Sequence, residues 1–194
     1  MRIHQLNLKY EPDQDRLIAR INSTSGLEIR LWLTRRLTLG FLPLLRRLTD
    51  EQIVRADALA TAAGAPRAPS DPKLREFLNE FKKDAALQQS DFKTPFKEST
   101  DAPATGDDPM LVAEIALTPL ANAHLQVKFS GKVKGSTEKR DVQIDLDEKL
   151  MHGFLHMLEK SYVNSQWGQA SIAPADLDAA SDKGAAAARP QYLN

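Results

Sequence analysis

LEIRLWLTRRLTLGFLPLLRR, residues 27 to 47, recurs 113 positions later as RDVQIDLDEKLMHGFLHMLEK, residues 140 to 160. Ile29, Leu31 and Leu33 fall on Val142, Ile144 and Leu146. Leu37, Gly40, Phe41, Leu42 and Leu45 then fall on the identical residues Leu150, Gly153, Phe154, Leu155 and Leu158. Within each copy the apolar residues first alternate, the period of a half-buried strand. They then recur at three and four, the period of an amphipathic helix. The stretch predicts a strand running into a helix, present twice.

Upstream of the first copy, Ile3 to Tyr10 alternates, with Leu6, Leu8 and Tyr10 on one face and Gln5, Asn7 and Lys9 on the other. Pro12 and its acidic neighbours make a turn. Arg16 to Asn22 alternates again, with Leu17, Ala19 and Ile21 inward and Arg16, Ile18 and Arg20 outward. Ser23 to Gly26 turns the chain into the strand over Leu27 to Leu33. Links this short favour an antiparallel meander. Thr34 is placed to cap the helix that follows. On that helix Leu37, Phe41, Leu44, Leu45 and Leu48 share one arc, with Leu42 at its edge. Pro43 falls on the solvent side, where it kinks a helix without ending it.

Beyond Leu48, the Thr49-Asp50-Glu51-Gln52 stretch has capping-box spacing, with Ile53 to Ala63 continuing as a short Ala-rich helix. Gly64 to Ser70 reads as a linker. Asp71-Pro72 opens another helix, with Leu74, Phe77, Leu78, Phe81 and Ala85 on its apolar face. Ser90 to Pro109 is polar and proline-containing and reads as a partly disordered loop. Strands over Met110 to Thr118, His124 to Gly131 and Lys139 to Leu146 match the first three. Asp147 takes the capping place of Thr34, and the last helix buries Leu150, Phe154, Met157, Leu158 and Tyr162. Trp167 closes its end, and from Gln169 the chain reads as a disordered tail.

The predicted fold class is therefore α+β, a tandem duplication of a β-β-β-α module. Antiparallel sheets, each backed by a helix, pair around a pseudo-two-fold axis. Residues 1–49 form the first module, 50–109 a helical insertion and linker, and 110–168 the second module, the two modules sharing one structural domain.

Composition narrows the function classes. The chain has 194 residues, 42% apolar and 27% charged, as in an ordinary globular protein. Net charge is zero, but residues 1–49 carry nine Lys and Arg against four Asp and Glu, and the remainder carries 17 against 22. There is no cysteine, which removes disulfides, thiol catalysis and thiolate metal sites. The first fifteen residues lack a signal-peptide core, and no run has the length of a membrane helix. The expectation is a cytoplasmic protein without membrane contact, bacterial by its Ala, Arg and Pro usage.

Catalytic patterns are missing. No GxGxxG, P-loop or nucleophile elbow occurs, so the expectation is a non-enzymatic protein without a cofactor. The matched Gly40 and Gly153 read as close-packing positions on their helices. His152 and His156, four apart with Glu159 three further on, have a spacing that can present ligands to one divalent metal. On the helical wheel they lie opposite the apolar stripe, so solvated surface is the competing reading.

The surface that suggests a function is the outward face of the first three strands. Arg16, Arg20 and Arg30 bracket Trp32 there, with Ile18 and Lys9 beside them. Cations for phosphate and a flat ring for stacking are what a single-stranded nucleic-acid platform requires. Arg35, Arg36, Arg46 and Arg47 on the following helix add positive field. The corresponding face of the second module, His124, Gln126, Lys128, Asp141, Gln143 and Asp145, is mixed or acidic, with Asp145 in the place of Trp32. The competing reading covers the face, with the 72–89 helix or a second subunit, its arginines paired with Glu76 and Glu80. The chain is then an interaction module or homodimer, through this face or through Leu39 beside Pro43.

In element order over roughly residues 2–48 and 110–163, the duplicated strands-then-helix unit resembles the Whirly and Pur-type single-stranded nucleic-acid binders. Those families use four strands per unit where three are counted here, and no residue role is carried over. The resemblance implies curved antiparallel sheets and single-stranded DNA or RNA as the ligand.

Overall fold

The computed structural model describes residues 3–66, 69, 71–91, 94–97 and 108–168. Three strands come first: β1 (Ile3–Glu11), β2 (Arg16–Ser23) and β3 (Glu28–Thr34). Helices α1 (Arg35–Ala62) and α2 (Pro72–Gln88) follow, then β4 (Met110–Pro119), β5 (Leu125–Lys132), β6 (Arg140–Leu146) and α3 (Glu148–Ser165). The fold class is α+β.

The strands form one six-stranded sheet in the order β1-β2-β3-β4-β5-β6. Hairpin neighbours pair antiparallel, but β3 and β4 pair parallel, with Leu31 opposite Met110 and Trp32 opposite Leu111. Parallel neighbours need a crossover connection, which the segment carrying α1 and α2 provides. The expectation of antiparallel sheets, each backed by its own helix, is corrected here: the sheet is single and mixed. The pattern within a strand fixes its faces but carries no signal for a partner on the far side of the crossover.

The helices cross the halves as well. α1 packs on β3 and β4, while α3 packs on β1 and β6, the two edge strands. One helix can reach both edges because the sheet curls around it, in the direction that strand twist favours. Ser161 of α3 donates its hydroxyl to the Leu8 carbonyl of edge strand β1 at 3.2 Å. That contact occupies an acceptor on an edge that would otherwise be open to pairing. Beyond α3, the Trp167 indole N–H donates to Asp15 in the β1–β2 turn at 2.5 Å, and the Tyr10 hydroxyl donates to the same carboxylate oxygen at 3.0 Å. The rings of Tyr10 and Trp167 meet edge to face at 5.7 Å. These two bonds, with Arg35 nearby, hold the Asp15 carboxyl below its ordinary range, while the carboxylate raises the Tyr10 hydroxyl.

One contiguous core fills the concave side. Leu17, Ile21, Leu31 and Leu33 of the first strands meet Val127, Phe129, Ile144 and Leu146 of the last, with Phe41 and Leu45 of α1 and Phe154 and Leu158 of α3 between them. Each of these side chains contributes roughly 1.5–3 kcal/mol by leaving water. Phe41 and Phe154, which stand 113 positions apart in the sequence, touch at 5.9 Å between ring centroids.

Several helix expectations change. α1 runs unbroken to Ala62 instead of restarting at Thr49, whose hydroxyl donates to the Leu45 carbonyl at 2.8 Å and caps nothing. Leu42 is buried and Leu44 exposed, the reverse of the stripe as drawn, because α1 touches α3 as well as the sheet. Gly40 is exposed, and a Cβ there would meet nothing, so close packing does not explain it; Gly153 is buried. α2 packs against α3 and leaves Leu74, Phe77 and Phe81 exposed. Pro43 is exposed within a continuing helix, as expected. The tail from Gln169 lies outside the described residues, as does most of the loop after Ser90.

Candidate functional site

The convex face of the sheet is built by the outward positions of each strand. Register sets a row across its middle: Lys9, Ile18, Trp32, Leu111 and Lys132, one from each of β1 to β5. Asn7, Arg20 and Arg30 form the row on one side, and Glu11, Arg16 and Thr34 the row on the other. Arg16, Arg20, Arg30 and Trp32 therefore share one surface, as the alternation predicted. All four are half-buried, while Ile18 beneath them is only 4% exposed and Leu111 is 39% exposed.

The arginines differ in their surroundings. Arg30 donates from Nε to Glu28 at 2.6 Å, and Glu28 is fully buried, so this pair carries no net charge. The partner is thus a neighbour on the same strand, not Glu76 or Glu80 of α2. α2 does not lie over this face at all. Instead Lys97 meets its Asn22 end: the Asn22 amide donates to the Lys97 carbonyl at 2.6 Å, and the Lys97 N–H donates to Gln5 at 3.1 Å. Lys9 pairs with Glu11 at 2.9 Å.

The helix arginines belong elsewhere. α1 lies on the concave side, so Arg46 and Arg47 do not join the Trp32 surface. Arg46 bridges to Glu159 of α3 at 2.7 Å, and Arg47 lies 3.5 Å from Glu51. Arg35 donates to the Trp167 carbonyl at 2.8 Å, and Arg36 is exposed in the first turn. Alternation assigns a strand residue to a face, but it does not say to which side of the sheet a following helix turns. Leu111 and Lys132 extend the Trp32 row through the parallel β3–β4 register, for which alternation within a strand carries no signal.

Across β5 and β6 the convex face neutralises itself. Lys128 pairs with Asp141 at 2.7 Å, and Asp141 also accepts from the Ser130 hydroxyl at 2.6 Å. These bonds hold the Asp141 carboxyl below its ordinary range and raise the Lys128 ammonium. Lys139 pairs with Glu114, and Gln126 donates to Asp145.

The histidine pair is corrected. His152 is not solvated but 2% exposed, and neither ring nitrogen has a hydrogen-bond partner among the described residues. α3 lies between α1 and α2, so the wheel face opposite its main stripe is buried too. Burial pushes the His152 imidazole below its ordinary range; Lys83 of α2 adds to this and Asp50 of α1 opposes it. His156 is exposed, and among the described residues no three His, Asp or Glu side chains group as metal ligands. No helix among the described residues is long and apolar enough to cross a membrane. Compared with family models, curated proteins and solved structures, the chain shows no significant match.

Proposed function

We propose that the chain is a non-enzymatic, cytoplasmic single-stranded nucleic-acid-binding protein that uses the convex face of β1 to β3. The observation that carries the reading is Trp32, half-buried and flanked in register by Arg16, Arg20 and Arg30. A ring held by its neighbours is a ready stacking surface, and stacking on such a ring contributes about 1–3 kcal/mol per base. Arg16, Arg20 and Arg30 supply the positive field beside the ring, and Lys132 extends it across β5.

The same reading holds that the chain is a tandem duplication of a β-β-β-α module. The identities between residues 37–45 and 150–158 support it. So does the packing: the helix after β3 lies on β3 and β4, and the helix after β6 lies on β6 and β1. That is the relation a two-fold axis along the strands would produce. One copy then carries Trp32 among arginines and the other carries Asp145 in its place.

The chain has two tryptophans, so Trp167→Phe leaves Trp32 as the only one. Adding oligothymidylate to that variant quenches its fluorescence if bases stack on Trp32. Trp32→Ala weakens binding by about 1–3 kcal/mol. Arg16→Gln and Arg20→Gln each lower the salt-dependence slope by about 0.7. A folded Trp32→Ala protein that binds unchanged would overturn the reading.

A second reading, a protein contact or homodimer through the same face, is favoured by the apolar row Ile18–Trp32–Leu111. It requires self-association in sedimentation at rising concentration, lost in Leu111→Glu.

A further inference from the structure

α2 carries its largest side chains on the side that faces away from the fold. Among its 17 residues only Ala86 is fully buried, while Leu78, Asn79, Lys82 and Ala85 are half-buried against the rest of the chain. Leu74, Phe77 and Phe81 are 47%, 63% and 64% exposed, and their spacing of three and four sets them in one stripe. A helix that served only to cover α3 would have this pattern inverted. The stripe is held in place: Asp71 caps the helix by accepting from the Lys73 N–H at 2.9 Å, and Lys82 pairs with Asp57 of α1. Leu59 of α1 is exposed as well and stands one turn beyond Ala56, which with Phe81 lines the cleft between the two helices. The apolar surface thus reaches from α2 toward α1, and an exposed patch of this kind marks an interaction site.

The charges beside the stripe decide what fits it. Lys73 and Glu80 are both exposed, and neither pairs with another charge among the described residues. They are seven residues apart, hence two turns apart on the same flank of the stripe, one on either side of Phe77. Two helices packed antiparallel set like flanks against each other. Turned about an axis near Phe77, Lys73 of one copy lies beside Glu80 of the other, and the symmetry makes that pair twice. A patch that complements itself under a two-fold rotation is what an isologous dimer requires.

We propose that the stripe Leu74–Phe77–Phe81 is the contact through which two copies of this chain dimerise, α2 against α2 and antiparallel. These side chains and Leu59 fall short of the roughly 800 Å² per partner of a standard interface, so the dimer is weak, with a dissociation constant of roughly tens of micromolar. The surface is separate from the convex face, and the dimer does not depend on the function proposed for that face.

The test is sedimentation velocity of the full chain from about 5 to about 500 μM, a range that brackets this constant. The weight-average coefficient rises from that of a monomer to that of a dimer. Phe77→Glu, a change at an exposed position that touches no packing, keeps the chain monomeric throughout. Leu111→Glu, on the convex face, leaves the association unchanged. Lys73→Glu and Glu80→Lys each turn two exposed pairs from attraction to repulsion and weaken the dimer about tenfold. Both changes in one chain restore it, and the two single variants mixed together associate where each alone does not. The proposal is overturned if the chain stays monomeric over the whole range, which would leave the stripe to a foreign partner. It is equally overturned if association survives Phe77→Glu, or if the two charge changes do not compensate.

Discussion

His152 stands at the junction of three helices, near Lys83 and Asp50, and among the described residues neither ring nitrogen has a hydrogen-bond partner. Its folded value lies below the ordinary 6.5, so between the two values the unfolded chain binds a proton that the folded chain does not. Stability then rises with pH across that window, and it falls as the pH drops below 6.5. Urea unfolding at a series of pH values detects this as a slope that His152→Leu flattens; an unchanged slope in the variant counts against it. The sequence made the pair of histidines visible but not their setting, because a helical wheel assumes one buried side. α3 has two, one toward the sheet and α1, the other toward α2. The arginines beside Trp32 were legible because alternation alone assigns their face. The Glu28 pairing of Arg30 was not, since Glu28 lies on the same strand and nothing in the pattern marks it as buried.

At the scale of elements, all six strands and the helices that follow β3 and β6 were legible, for their signals are local: alternation, turn residues and a cap. Thr34 accepts from the Leu37 N–H and Asp147 from the Leu150 N–H, each at the start of its helix. Thr34→Ala and Asp147→Ala should each cost about 1 kcal/mol of stability in denaturant unfolding. Losses under a few tenths would show that the caps are satisfied by other groups. The break expected at Thr49 failed because a threonine hydroxyl can turn back to the carbonyl four residues earlier, and here it does. The apolar stripe of α2 is real as a pattern, yet Leu74, Phe77 and Phe81 are exposed. A stripe says that a face is apolar, not that a partner within the chain covers it.

For the whole molecule, the halves are joined by the parallel β3–β4 pair, by α1 against α3, and by Trp167 tying α3 to the β1–β2 turn. None of these joins is written locally, so the merging of the two sheets could not be read from periodicity. The shared core predicts one cooperative unfolding transition by both fluorescence and circular dichroism. Phe41→Ala and Phe154→Ala should each cost about 3–5 kcal/mol. Because the rings touch, the double variant should lose less than the sum of the two. Additive losses or two separate transitions would mean that the halves are independent.

The convex face asks for one measurement before any other: fluorescence anisotropy of labelled single-stranded DNA and RNA titrated with the full chain at low and moderate salt. The account predicts micromolar or tighter binding that weakens as salt rises, because Arg16 and Arg20 displace counterions from phosphates. Absence of binding at low salt, where unscreened charges act over the longest range, would contradict it.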